Sequence, residues 1–197
     1  MTAVCPSYEA WRTAYASAVS VPLVLLAPGA SGNPASVKPY VAALAADSLE
    51  ARVIALPKGK AEAAVATYRA ELGEARTAII GGQSFGGRVA SLLAAEEPRV
   101  AGLILLCYPL HPPGRAERWR ERTAHWPRIT CPVLLLSGDR DPFARIGLLQ
   151  EAVKLLPHAE LHVYPGVGHG LRPVLADALE RVRRHVQALA QPVDSGQ

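Results

Sequence analysis

Gly81-Gly82-Gln83-Ser84-Phe85-Gly86-Gly87-Arg88 is the stretch that decides the fold. It follows the apolar run 77–80 and precedes 89–95, a good helix former, so it lies at a turn from a strand into a helix. A serine in such a turn, with a glycine two residues to either side, is the pattern of a nucleophile elbow. The turn is strained and crowded, which requires small flanking residues, and it lifts the hydroxyl of Ser84 above the edge of the sheet. The helix N-terminus beneath it favours a developing negative charge.

Short apolar runs alternate with longer helical patterns on both sides of this stretch. Strands are predicted at 23–27, 52–56, 77–81, 100–107, 133–136 and 160–164, and helices at 36–49, 60–72, 85–95, 144–156 and 173–189. The runs 100–107 and 133–136 lack polar alternation, which indicates strands buried on both faces of a parallel sheet. The order predicts an α/β fold, a doubly wound, mostly parallel sheet of about six strands with helices on both faces. Residues 108–130 are proline-rich and predicted irregular, with a short helix around 116–124 and no large lid.

The composition is that of a soluble globular protein, with 197 residues of which 50% are hydrophobic and 19% charged. We expect one domain over residues 1–197, with its core at about 21–190 and a frayed tail at 191–197. The net charge is +4, and the basic residues are scattered apart from a small arginine cluster at 181–184. This cluster falls on the last predicted helix and is interpreted as a solvated face, so no nucleic-acid partner is expected.

Cysteine and histidine usage points to a reducing compartment without a metal. Cys5, Cys107 and Cys131 are odd in number and form no CxxC pair, so we expect a cytoplasmic protein without a disulfide framework. The six histidines show no metal-ligand spacing, and neither a metal nor a cofactor is expected. No apolar stretch reaches the ~20 residues of a membrane helix, and Pro22 interrupts the run that would otherwise suggest a signal peptide. No membrane association is therefore expected.

A serine hydroxyl becomes a nucleophile only beside a base that an acid orients. The acid candidates are Asp139 and Asp141, directly after the buried strand 133–136. The base candidate is His169, which glycines flank on a loop after the last strand. His158 and His162 are interpreted as structural or exposed, and His185 as a surface residue of an amphipathic helix. The order serine, aspartate, histidine is that of the α/β-hydrolase triad.

Four stretches carry a resemblance to a known family: 81–88, Tyr-Pro-Leu-His-Pro-Pro-Gly at 108–114, Ser-Gly-Asp-Arg-Asp-Pro-Phe at 137–143, and Gly-Val-Gly-His-Gly at 166–170. The chain resembles small members of the α/β-hydrolase superfamily, most of all the compact, lidless group related to dienelactone hydrolases and testis-expressed hydrolase-like proteins. The resemblance covers about residues 21–190 and implies that the acid is Asp141. The N-terminal strands of a full-length member are expected to be missing or degenerate within 1–20.

The oxyanion hole is expected to combine two backbone N–H groups. One belongs to Phe85, directly after the serine, and the other by position to Ala30, in the loop after the first core strand. Pro28 stands where relatives usually have a histidine. His111, Tyr108 and Trp119 are candidates for a substrate pocket, although His111 could equally stabilise its loop and Trp119 could simply pack on the sheet.

The expected function is that of a serine hydrolase that cleaves a small-molecule ester or related acyl compound through an acyl-enzyme. Two alternatives stay open at this point. A protein of this fold could bind a ligand or partner without catalysis, because fold does not determine function. The same triad could also serve an acyltransferase or a thioesterase.

Overall fold

A computed structural model describes residues 22–75 and 77–190 of the chain. Six strands form one parallel sheet: β1 Leu23–Ala27, β2 Ala51–Val53, β3 Ala78–Gln83, β4 Val100–Leu106, β5 Val133–Gly138 and β6 Ala159–Tyr164. Six α-helices accompany it: α1 Lys38–Ala46, α2 Ala61–Leu72, α3 Phe85–Ala94, α4 Trp119–Thr123, α5 Ile146–Val153 and α6 Leu175–Ala190. The predicted α/β architecture without a large lid is confirmed. The expectations for the N-terminal strands and for the tail at 191–197 lie outside the described residues.

The strand order β2-β1-β3-β4-β5-β6 creates a switch point between β1 and β3. From β1 the chain passes through α1 to β2 on one side, then crosses to β3 on the other side. Leu26 pairs with Gly81 and Ala27 with Gly82, so the carboxyl ends of β1 and β3 lie side by side. Because the loops after these two strands leave in opposite directions, a crevice opens between them, which is the usual ligand site of such sheets.

Helices cover both faces of the sheet and divide the core into two layers. On one face α1 and α6 contribute buried side chains such as Leu44 and Val186. On the other face α2 to α5 contribute larger ones, including Tyr68 and Leu93. The central strands β1, β3, β4 and β5 bury almost every residue, as their continuous apolar runs predict.

The edge elements differ most from the sequence prediction. The edge strand β2 is only Ala51–Val53, shorter than the predicted 52–56, because it pairs on one side alone and Pro57 follows. Strands β3 and β5 each extend two residues further than predicted. The segment 108–130 is irregular as predicted, with α4 between two short 3₁₀ turns at Ala116–Arg118 and Trp126–Arg128.

Two further observations concern the length of the helices and the state of the cysteines. No helix in the ranges 22–75 and 77–190 is both long and apolar enough to cross a bilayer. Cys107 and Cys131 are buried free thiols, and burial raises the pKa of each to about 12. Cys5 lies outside the described residues.

Candidate active site

Ser84 lies at the turn between β3 and α3, in a backbone conformation that side chains rarely adopt. Its φ is 50° and its ψ −111°. The N–H of Ser84 donates to Leu106 O at the end of β4 (2.8 Å), and its carbonyl accepts the N–H of Arg88 (3.0 Å). The turn is therefore held between a neighbouring strand and the first turn of α3. This is the strained geometry that the elbow motif predicts.

Gly82 and Gly86 allow the elbow to lie against the end of β1. A Cβ atom on Gly82 would collide with Ala27 O, and one on Gly86 would collide with the same oxygen and stand 2.6 Å from Pro28 O. Both obstacles are backbone atoms, which cannot rotate away. The two glycines are therefore required by the close approach of the elbow to the loop after β1.

A continuous chain of hydrogen bonds connects Ser84, His169 and Asp141. His169 Nε2 lies 2.8 Å from Ser84 Oγ, and His169 Nδ1 lies 2.7 Å from Asp141 Oδ2. The carboxylate only accepts, so Nδ1 carries the ring proton and Nε2 is left to accept the serine hydroxyl proton. The structure thus brings the three residues together in the arrangement in which histidine is the base.

Asp141, rather than Asp139, is the carboxylate that contacts the histidine. The Asp141 side chain is fully buried, and its second oxygen accepts the N–H of Phe143 (2.8 Å). Both carboxylate oxygens are therefore satisfied, as a buried charge requires. Asp139 is exposed and accepts the N–H of Gly166 (2.7 Å), so it is a loop residue.

The loops after β5 and β6 contact each other and so hold Asp141 and His169 side by side. Arg140 N–H donates to Val167 O (2.9 Å), and a Cβ on Gly138 would collide with that same oxygen. The ring of Phe143 packs on His169 at 4.4 Å between centroids. The imidazole is thus fixed from two sides, while a fifth of the His169 side chain stays accessible to a substrate.

Phe85 and Ala30, the predicted oxyanion residues, line one small cleft beside the serine. The loop after β1 approaches the nucleophile closely, because a Cβ on Gly29 would stand 3.7 Å from Ser84 Cβ. Within the described part of the chain, neither Phe85 N–H nor Ala30 N–H donates to a protein acceptor. Both donors are therefore available to a ligand, and Phe85 adds the first turn of α3.

His111, a predicted pocket residue, is buried and engaged by backbone groups. Its Nε2 accepts the N–H of Arg145 (3.0 Å), so Nδ1 carries the proton, which it donates to Pro112 O (3.0 Å). The N–H of His111 in turn donates to Phe143 O (2.9 Å). This arrangement favours the loop-stabilising role, because His111 ties the loop after β4 to the loop that carries Asp141.

Tyr108 and Trp119, the other two pocket candidates, also face protein atoms. Tyr108 is buried, its hydroxyl donates to Arg122 O (2.7 Å), and its ring meets Trp126 edge-on at 5.0 Å between centroids. Trp119 is buried in the same core layer, with the guanidinium of Arg120 4.6 Å from its ring. The structure gives both side chains a packing role and does not assign them to a substrate surface.

Tyr68 holds the strand that leads into the elbow, and the sequence alone did not predict this role. This fully buried side chain of α2 places its hydroxyl 2.7 Å from Gly81 O and 2.8 Å from Leu25 O, and accepts Gly81 N–H (2.9 Å). It therefore ties β1 to β3 just before the nucleophile. In the sequence it is one apolar position of an amphipathic helix, and no local signal separates it from a core residue.

A buried polar network also joins α3 to the segment after β4. Ser91 Oγ donates to Arg88 O (2.8 Å) and accepts from His125 Nε2 at 2.8 Å. Burial and the nearby Arg88 guanidinium lower the pKa of His125 to about 4, so the ring is neutral at pH 7. His185 was expected at the surface; instead its Nε2 is buried without a partner among the described residues, and burial lowers its pKa to about 4.

Comparison with known proteins agrees with the fold. An esterase from Pyrococcus furiosus is 14% identical, with a TM-score of 0.71 over 86% of this chain and 81% of that one. The enol-lactonase from Burkholderia xenovorans is 16% identical, with a TM-score of 0.70 over 86% and 92%. Est1E from Butyrivibrio proteoclasticus is 17% identical, with a TM-score of 0.70 over 89% and 90%.

At these identities the solved structures share the fold with this chain and no more than the fold. The sequence itself provides the closer assignment, because residues 41–194 match the model of a family described as an alpha/beta hydrolase domain. The match extends over most of the chain and includes the serine, the aspartate and the histidine. This chain therefore belongs to the alpha/beta hydrolase domain family.

Proposed function

We propose that this protein is a serine hydrolase that cleaves a carboxylic ester or a related acyl compound. The observation that carries the proposal is the unbroken hydrogen-bond chain from Ser84 Oγ through His169 to the buried carboxylate of Asp141. A serine kept in a strained elbow, with a base at 2.8 Å and an acid behind that base, fits nucleophilic acyl transfer.

In the first half of the reaction Ser84 Oγ attacks the carbonyl carbon of the substrate. His169 Nε2 takes the hydroxyl proton as the Oγ–C bond forms, and Asp141 stabilises the resulting imidazolium. The carbonyl electrons move onto the oxygen, and the tetrahedral intermediate then collapses. His169 returns its proton to the leaving oxygen, which departs as an alcohol and leaves an ester of Ser84.

In the second half, water repeats the same sequence on the acyl-enzyme. His169 Nε2 takes a proton from the water as its oxygen attacks the acyl carbon. The collapse of the second tetrahedral intermediate returns that proton to Ser84 Oγ and releases the carboxylic acid. His169 has then returned each proton that it took, and the protein is back in its starting state.

We assign the stabilisation of the oxyanion to the N–H groups of Phe85 and Ala30. Both residues line the cleft beside Ser84, and neither N–H donates to another described residue. Loss of one such donor typically costs ~10²–10³ in kcat. Pro28, in place of the histidine common in relatives, is buried directly after β1 and lines the same cleft as Gly29 and Ala30.

The activities for which structural relatives are named indicate the chemical range of the proposal. An esterase and an enol-lactonase share the fold, and Est1E was also solved with ferulic acid bound. We therefore propose an ester or lactone as the substrate and a position near the dienelactone hydrolase-like group. The free buried thiols of Cys107 and Cys131 support a reducing, cytoplasmic location.

The hydrolysis of para-nitrophenyl acetate tests the proposal. We expect a burst of nitrophenolate equal to the enzyme concentration, followed by slower turnover, because nitrophenolate is a good leaving group and acylation should therefore be faster than hydrolysis of the acyl-enzyme. Ser84→Ala should lose both phases. Ser48→Ala is the matched control, because Ser48 also has a positive φ (61°) but is exposed at the far end of α1.

Two results would separate the alternatives. Hydrolysis that Ser84→Ala retains in full would refute the serine mechanism. If an added alcohol or thiol intercepts the acyl group and yields a new ester at low acceptor concentration, the protein is a transferase with the same triad. A wild-type protein that neither turns over nor forms an acyl-enzyme would instead favour the non-catalytic alternative.

A further inference from the structure

In the described part of the chain, most exposed basic residues without an ion pair lie in loops at the edge of the sheet that carries Ser84, although Lys38, Arg128 and Lys154, outside those loops, are also exposed without an ion pair. On the flanks, arginines are paired with carboxylates, as in Arg69 with Glu96 and Arg183 with Asp47. The loops that follow β2, β4, β5 and β6 instead carry exposed basic residues without an ion pair in the described part of the chain: Lys58, Lys60, Arg115, Arg140, Arg145 and Arg172. Unpaired positive charge therefore collects at the edge where Ser84 lies.

The carboxylates at this edge do not cancel that charge. Asp141 is bound to His169, and Asp139 accepts a backbone N–H. Glu62 and Glu121 each pair with an arginine, at 2.6 Å and 2.7 Å. Among the loop carboxylates described there, Glu117 and Asp139 are exposed without an ion pair, so together with the buried Asp141 three loop carboxylates stand against the six unpaired cations. The edge consequently presents a net positive field to an approaching molecule.

Lys58 is the member of this set that lies nearest in the fold to the two assigned oxyanion donors, because it shares a cleft with them. It lines the cleft that Ala30 and Phe85 also line, beside the apolar Leu56 and Pro57. It is the one charged residue among the described residues that line this cleft. A substrate whose carbonyl oxygen is bound by the Ala30 and Phe85 N–H groups would therefore meet the cleft that Lys58 lines.

We propose that the substrate carries a negative charge, and that Lys58 is a specificity-determining residue that binds it. This inference rests on the serine hydrolase function proposed above and names the class of its substrate: a carboxylate-bearing ester or lactone. The other unpaired cations at the edge raise the local concentration of such anions, an effect that salt screens.

Matched pairs of esters test the inference. The mono-para-nitrophenyl ester of glutaric acid is compared with para-nitrophenyl valerate, which replaces the carboxylate by a methyl group. A second pair, 4-carboxyphenyl acetate and 4-carbamoylphenyl acetate, moves the charge to the leaving group. At low salt we expect kcat/KM to favour the anionic member of at least one pair by about tenfold, and the preference to shrink as salt rises.

Three variants locate the effect. Lys58→Met should lower kcat/KM for the anionic ester about tenfold more than for its neutral partner, because it keeps the stem and removes the charge. Lys58→Arg should retain the preference. Lys154→Met is the matched control: Lys154 is exposed and has no ion pair in the described part of the chain, but it lies at the far end of α5.

The outcomes separate this inference from the function on which it rests. Equal kcat/KM within both pairs, or a preference that Lys58→Met leaves intact, would overturn the inference while the hydrolase stands. If no ester of either pair is turned over and Ser84 forms no acyl-enzyme, the proposed function fails, and the inference fails with it.

Discussion

Replacement of Ser84 by glycine should make the protein more stable than replacement by alanine. Both substitutions remove the hydroxyl and its hydrogen bond to His169, so their difference isolates the backbone. At φ 50° and ψ −111° a side chain costs ~1–3 kcal/mol, which glycine does not incur. Glycine costs ~0.5–1 kcal/mol more chain entropy on folding. The balance predicts that Ser84→Gly is about 1 kcal/mol more stable than Ser84→Ala.

Two other serines provide the controls. Ser48 also has a positive φ, at 61°, and there too glycine should be at least as stable as alanine. Ser91 lies within α3, where glycine should be about 1 kcal/mol less stable than alanine. Urea unfolding followed by tryptophan fluorescence gives the three differences. If Ser84→Ala proves as stable as Ser84→Gly, the strained elbow described above is wrong.

Three further predictions concern the acid, a buried base and the elbow glycines. Asp141→Asn should lower kcat by up to ~10⁴ with little change in KM, because His169 then takes the wrong tautomer; a loss below tenfold in steady-state assays would contradict this. The pKa of His125 is about 4 in the folded protein and ~6.5 in the unfolded chain. The free energy of unfolding should therefore fall by about 3 kcal/mol as the pH is lowered from 6.5 to 4. His125→Gln replaces the imidazole N–H donor by an amide N–H donor that does not titrate, so it should flatten this part of the pH–stability curve. An unchanged slope in urea unfolding at several pH values would refute the lowered pKa of His125. Gly86→Ala should cost about 1–3 kcal/mol and most of the activity, since its Cβ meets backbone atoms, whereas Gly147→Ala, whose Cβ meets nothing, should be tolerated.

Local patterns in the sequence were sufficient for the parts of the fold that depend on local chemistry. The first strand, Leu23–Ala27, and the buried runs that become β4 and β5 follow from apolar continuity, which only a covered parallel sheet explains. The glycine spacing around Ser84 can likewise be recognised within five residues, although the backbone atoms that exclude a side chain there, Ala27 O and Pro28 O, belong to a distant part of the chain.

What the sequence did not reveal depends on contacts between distant residues. Tyr68 and Gly81 are 13 residues apart in the sequence, and His111 and Arg145 are 34 apart. No local pattern in the sequence therefore predicts their hydrogen bonds. His185 lies on an amphipathic helix and was expected at the surface, because the covering of a helix face by other segments leaves no local trace. The end of β2 was misjudged because this edge strand pairs with β1 alone, and only from Ala51 to Val53.

Covalent labelling with a fluorophosphonate tests the central claim most directly, because it requires an activated serine and no knowledge of the substrate. The serine oxygen displaces fluoride from phosphorus, and intact mass spectrometry measures the adduct. We predict one adduct per chain, located by peptide mapping to Ser84, with Ser84→Ala unlabelled and Ser48→Ala labelled like the wild type. A wild-type protein that stays unlabelled, or a Ser84→Ala variant labelled to the same extent, would contradict the account.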